Sequence, residues 1–117
     1  MSLQDRLRIL YEGLVAIDSS VGCYHYYAPS AADPPYIVWY EESEDTSFDS
    51  DNHKVRQSVS GYVEYFTKEE FDSVFDDIQE YLDGVGGLSW TWEATQYGDP
   101  TRDDDNLIHH TWNWRLR

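Results

Sequence analysis

The residues able to do chemistry in this chain are few, and their spacing works against most of it. Cys23 and His25 stand two positions apart, so on a strand they share a face, and they are the one thiol–imidazole pair from which a nucleophile could be built. Nothing around them supplies an oxyanion-type turn, a phosphate-binding glycine loop or a nucleophile elbow. Gly84, Gly86 and Gly87 follow a helical pattern, the reverse of the order a phosphate cradle needs. The strand setting of Cys23 favours a buried structural thiol. His109 and His110 are neighbours, which on a strand sends their rings to opposite faces and denies them one shared metal ion; His25 and His53 lie in separate segments without ligand spacing. Asp49-Ser50-Asp51-Asn52 opens like a calcium loop, but Lys54 stands where that loop needs glycine and Ser60 where it needs glutamate. Carboxylates are too abundant for one pair to be singled out as acid and base. The residues therefore predict a protein that is not an enzyme and that uses no cofactor or metal.

Asp and Glu number 23 against 8 Lys and Arg, a formal net charge of -15 over 117 residues. A surface this negative repels phosphates and anionic headgroups, which argues against direct nucleic-acid binding and against membrane attachment. The 40% hydrophobic and 16% aromatic content is too high for a disordered acidic tail, and the length suits a single domain over 1–117 with a core of its own. Cys23 is the only cysteine, which excludes an intramolecular disulfide and a Cys-based zinc site. No apolar run approaches the roughly 20 residues that span a bilayer, and no basic stretch followed by an apolar segment opens the chain, so a soluble, non-secreted protein is expected. The acidity admits three readings: solubility alone, a surface that DNA slides past without sticking, or a surface that imitates DNA to occupy a basic protein.

The elements that position these residues follow from periodicity. Leu3, Leu7, Leu10, Leu14 and Ile17 recur at helical spacing, widened by Ile9 and Val15, with Ser2 as a candidate N-cap. Val21 to Tyr27 and Tyr36 to Glu42 are rich in β-branched and aromatic residues and read as strands. Ser43 to Lys54 has no periodicity and one large apolar residue, Phe48, and predicts a long exposed connection that is mobile in the free subunit. Val55 to Phe66 alternates, with Val59, Gly61, Val63 and Tyr65 on one face and Ser58, Ser60, Tyr62, Glu64 and Phe66 on the other. Thr67-Lys68-Glu69-Glu70 has the form of a capping box and predicts a helix from there, with Phe71, Val74, Phe75, Ile78, Tyr81 and Leu82 as its stripe and a glycine C-cap among Gly84 to Gly87. Leu88, Trp90, Trp92 and Ala94 on one face, then Ile108, His110, Trp112, Trp114 and Leu116, predict a closing hairpin around the turn-rich segment Gly98 to Asn106. The four hairpin tryptophans read as core. The order helix, three strands, helix, two strands predicts an α+β fold with a largely antiparallel sheet of about five strands.

The stretches Pro34-Pro35-Tyr36-Ile37-Val38, Asp51-Asn52-His53-Lys54-Val55 and Val63-Glu64-Tyr65-Phe66-Thr67-Lys68 also occur in a telling order. With the acidic loop around Phe48, the acidic helix, the glycines at 84 to 87 and the aromatic closing strands, this order resembles the small tail terminator, or tail completion, proteins of long-tailed phages and prophages. The resemblance covers nearly the whole chain after the first helix. Ser50 departs from the alanine common in the family, and Gly98 to Asp105 is longer and more acidic than usual. The resemblance implies a non-enzymatic virion subunit, assembled from the host cytoplasm into a ring, usually a hexamer. The ring would sit at the head-proximal end of the tail tube, stop tube growth and present a docking face to the head-completion or connector protein. Its partners would be further copies of itself, the tail tube protein and that connector, while DNA passes through without specific binding. Glu42, Glu44, Asp45, Phe48, Asp49, Asp51, Asn52 and His53, on the acidic loop, are the candidate subunit or partner interface. The alternative from another class is an acidic DNA mimic or immunity-type inhibitor of a basic protein.

Overall fold

The computed structural model describes residues 2–44, 57–98 and 107–117, with the backbone of 49–50 and 53–54. Helix α1 spans Leu3–Val15. Its start is a reciprocal cap, in which the Asp5 N–H donates to the Ser2 hydroxyl and the Ser2 N–H to the Asp5 carboxylate, both at 3.1 Å. Strands β1 (Gly22–His25) and β2 (Tyr36–Glu44) follow, then a two-residue ribbon, β3 (Asp49–Ser50) with β4 (His53–Lys54). Strand β5 is Val59–Thr67, helix α2 Ser73–Gly84, and β6 (Leu88–Tyr97) and β7 (Ile108–Leu116) close the chain as an antiparallel hairpin.

The main sheet has the order β1-β2-β5-β7-β6. Every pairing is antiparallel except that of β1 with β2, where Gly22 faces Tyr36 and His25 faces Trp39 in parallel register. Both helices pack on one face. Leu10 and Leu14 of α1 and Val74, Ile78 and Leu82 of α2 meet Ile37, Trp39, Val63, Tyr65, Trp112, Trp114 and Leu116 in one core. β5 alternates without a break, Val59, Gly61, Val63, Tyr65 and Thr67 buried and the residues between them half-buried, as its sequence predicts. α1 and α2 are tied by the Tyr81 hydroxyl, which donates to the Leu10 carbonyl at 3.2 Å.

The α+β class and the element order agree with the sequence reading; several boundaries do not. α1 stops at Val15, and Ile9 and Val15 are exposed, so its buried stripe is narrower than the periodicity implies. β1 ends at His25 because Tyr26 turns to φ 76, and β2 runs on to Glu44. Thr67 is not a helix cap. It ends β5, and α2 begins six residues later with Asp72 as N-cap, leaving Phe71 outside the helix and 95% exposed. The left-handed glycine is Gly87 (φ 77), past a helix end formed by extended Val85, and its carbonyl accepts the Arg117 N–H at 2.8 Å. In the hairpin, Trp112 and Trp114 are fully buried, but Trp90 is half-buried and Trp92 47% exposed. A bulge between Trp92 and Ala94 then moves Ala94 to the opposite face, opposite Thr111. Val55 and Arg56 and the Asp99–Asn106 turn lie outside the described residues.

Gly61 is where two close approaches coincide. A Cβ there would meet the Tyr40 carbonyl, lie 2.6 Å from the Trp114 ring and 2.8 Å from the Glu41 Cα, beside the irregular register between Glu41 and Ser43. Gly61→Ala should therefore destabilise the fold by about 1–3 kcal/mol through overpacking between β2 and β7. Chemical denaturation followed by tryptophan fluorescence measures this, and an unchanged midpoint would show that the strands can part there without loss.

Candidate interaction surfaces

The acidic residues singled out in the sequence do not form one loop. Glu42 and Glu44 are exposed residues of β2, and the Glu44 carboxylate accepts from the Gln57 side chain at 2.8 Å. Asp49 pairs with Lys54, and Ser50 with His53, across the β3–β4 ribbon, so the expected structureless connection contains regular pairing. Asp45, Phe48, Asp51 and Asn52 lie outside the described residues, as does the question of the loop's mobility.

A second surface was legible only in part. On the sheet face turned away from the helices, Tyr24, Tyr36, Phe66 and His109, one each from β1, β2, β5 and β7, form a row: Tyr24 meets Tyr36 edge-on at 6.1 Å, and Tyr36, Phe66 and His109 stack with centroid separations of 4.8 and 4.2 Å. Beside them Tyr40 and Tyr62 form a cross-strand pair at 5.6 Å. Carboxylates thread between the rings. His109 Nε2 lies 2.9 Å from Glu64 Oε1, and burial followed by the fields of Glu64, Glu42 and Glu93 pushes the Tyr40 hydroxyl up from its ordinary value. Glu93 dominates the same upward shift at Tyr62, which places the bulge residue of β6 over this face. No described helix covers these rings.

At the β1 edge the thiol–imidazole pair dissolves. Burial pushes the Cys23 thiol up to about 12, which holds it protonated. The His25 ring is engaged elsewhere: it stacks at 4.0 Å on both Trp39 and Tyr26, and its Nε2 lies 2.7 Å from Glu41 Oε2. The Tyr26 hydroxyl donates to the other Glu41 oxygen at 2.7 Å. Burial raises the Glu41 carboxyl, but these two hydrogen bonds outweigh it and hold the group below the usual carboxylate range. The arrangement braces the edge and leaves Cys23 without a base.

At the opposite end of the sheet Asp72 joins two elements, β5 and α2. Its carboxylate accepts from the Tyr65 hydroxyl at 2.6 Å, the Thr67 hydroxyl at 2.8 Å and the Val74 N–H at 2.9 Å. Burial pushes its carboxyl up, and the three donors reverse the shift to a net fall. Nearby, His110 Nδ1 lies 2.8 Å from the Thr95 hydroxyl, and the ring packs against Phe75 and Trp112. Burial first, then His109, lowers the His110 pKa, partly opposed by Asp72.

Asp72→Ala should cost about 2–4 kcal/mol, the lost cap plus the orphaned buried Tyr65 hydroxyl, and less in a Tyr65→Phe background where no hydroxyl is stranded. A double-mutant cycle on denaturation midpoints measures it; equal losses in both backgrounds would show that Tyr65 and Asp72 are uncoupled. For His110 the folded pKa lies below the unfolded one, so the unfolded state takes up the proton first. Its contribution is complete above the ordinary histidine value and is lost as pH falls through the folded one. Midpoints compared at neutral pH and at about pH 5.5 should fall less in His110→Gln than in the parent.

Among the described residues no helix is long and apolar enough to cross a membrane. In comparisons with known proteins, the chain matches no family model and no curated protein.

Proposed function

We propose that the chain is a structural subunit of a phage or prophage tail, which closes as a ring at the head-proximal end of the tail tube, ends tube growth and receives the head connector. The reading rests on the ordered motifs that resemble tail terminator proteins. The structural observation that supports it is the uncovered sheet face. A five-stranded sheet with helices on one side leaves Tyr24, Tyr36, Tyr40, Tyr62 and Phe66 half-buried on the other, a larger aromatic area than an isolated subunit needs at its surface. Such a face suits a neighbouring copy or the tube. The carboxylates among the rings set a condition: self-repulsion opposes association at low salt, and moderate salt screens it beyond about 8–10 Å. In this reading the negative walls also let DNA pass without adhering, the protein performs no catalysis, and it resides in the virion tail after assembly in the host cytoplasm.

A second reading has its own observation. Asp76, Asp77, Glu80 and Asp83 are all exposed on α2, continuing Glu69 and Glu70, and no basic residue offsets them in the last turn. A continuous acidic surface of this kind suits a DNA mimic or immunity-type inhibitor that occupies a basic protein.

Sedimentation over a range of concentration and salt, with electron microscopy of tail tubes mixed with the protein, separates the two. Capped tubes of defined length and salt-promoted association are expected. Tyr62→Asp on the open face and Phe48→Asp in the acidic loop should each weaken capping while circular dichroism stays unchanged. A persistent monomer that never caps tubes and binds a basic nuclease tightly would replace the first reading with the second.

A further inference from the structure

Between the β5–α2 connection and the far ends of β6 and β7 lies a cavity of about 370 Å³. Its floor is apolar, formed by Phe75 and Ile108. Its rim carries three exposed carboxylates, Glu69, Glu70 and Asp76. Thr95 and His110 also line it, the imidazole held against the Thr95 hydroxyl at 2.8 Å with burial favouring its neutral form, and no lysine or arginine lines it among the described residues. Asp72 also borders it, but that carboxylate is occupied by Tyr65, Thr67 and the Val74 N–H and serves the fold. Two large rings stand at the mouth with little packing of their own, Phe71 at 95% exposure and Tyr97 at 71%. Phe71 is held at φ 60, a left-handed conformation unfavourable for a side chain of this size, and no burial of its ring offsets the cost.

Each wall selects a ligand chemistry. The carboxylate rim repels phosphates and acidic peptides and attracts a cation. Exposed rings attract a cation over their faces, and a planar guanidinium stacks there with less loss of hydration than an ammonium. The apolar floor suits a methylene stem leading to the charge. Two rings standing outside the cavity offer contact to the chain that presents the side chain, which favours a protein over a free small cation.

We propose that this cavity receives an arginine side chain presented by a partner protein, its guanidinium held between the Glu69, Glu70 and Asp76 carboxylates and the Phe71 and Tyr97 rings. The site is at the opposite end of the sheet from the His25–Glu41–Tyr26 cluster and separate from the open aromatic face, and it does not depend on the tail-terminator reading. It explains why Phe71 is kept both strained and exposed.

Backbone amide NMR of the full chain, titrated with a capped Leu-Arg-Leu peptide, tests it. Shifts are expected to concentrate at 69–76, 95–98 and 107–110, to be weaker with the corresponding Leu-Lys-Leu peptide and to vanish with Leu-Gln-Leu. Phe71→Ala should weaken binding about two- to fivefold, the worth of one exposed cation–π contact, and Glu70→Gln by a similar factor. Phe71→Gly should weaken binding while raising the denaturation midpoint, because glycine accepts the left-handed φ without strain; loss of both would overturn the role given to that ring. Shifts spread evenly along the acidic face of α2, equal shifts from the Arg and Gln peptides, or variants that bind like the parent would each sink the proposal. Binding by Arg102→Gln but not by the parent would assign the cavity to the chain's own arginine instead.

Discussion

One carboxylate decides how the two halves of the molecule meet. Asp72 takes hydrogen bonds from the Tyr65 and Thr67 hydroxyls at the end of β5 and from the Val74 N–H in the first turn of α2. The sheet and the second helix are thus joined through a group that is at once an N-cap and the partner of a buried phenol. With that joint in place the helix axis and phase are set, and Val74, Ile78 and Leu82 face Tyr65, Trp112 and Trp114 rather than solvent. The residues between Thr67 and Asp72 turn within a short span, where Phe71 stands at a positive φ with its ring in solvent. The cavity opens beside the same turn.

The second constraint is that the sheet is covered on one face. Two helices pack on that face of the five strands, and among the described residues no third helix covers the other. The apolar side chains of the uncovered face therefore pack on one another. Tyr24, Tyr36, Phe66 and His109 form a row across four strands and shield one another's faces, while Glu42, Glu64 and Glu93 keep the surface charged. A face of rings and carboxylates is costly to leave in water and selective about what it meets, since a partner must bury rings without stranding charge. The tail-subunit reading gives that face a purpose, and the net charge of -15 makes its use dependent on screening.

The core shows how polar groups are accommodated where rings are largest. Trp112 donates its indole N–H to Gln79 at 3.0 Å and Trp90 to Asp83 at 3.1 Å. The indole N–H groups of Trp39 and Trp114 are buried without a partner among the described residues, each at a cost of about 1–3 kcal/mol. Burial of rings this large offsets that, at about 25 cal/mol per Å² of apolar surface. The glycine at position 61 belongs to the same economy of space, because the Trp114 ring lies where a Cβ would be.

What the sequence alone determined was whatever depends on near neighbours along the chain. The period of Leu7, Leu10 and Leu14, the alternation from Val59 to Tyr65 and the alternation from Ile108 to Leu116 each report one buried face, and each element lies where its period predicts. The α+β class followed from their order. The tertiary structure decided every point where a local signal met a distant competitor. Thr67-Lys68-Glu69-Glu70 is a sound capping box in isolation, but the Thr67 hydroxyl donates to Asp72 and accepts from the Glu69 N–H, and the sheet claims its backbone. The parallel pairing of β1, the bulge after Trp92 and the row of rings are pairings between residues far apart in sequence. Tyr62, Glu64 and Phe66 were legible as the second face of a strand; that this face stays open was not, because cover is a property of where helices pack. The cavity was the least legible of all, since Glu69 and Tyr97 become neighbours only once α2 is docked on the hairpin, and no local period encodes a distance between elements.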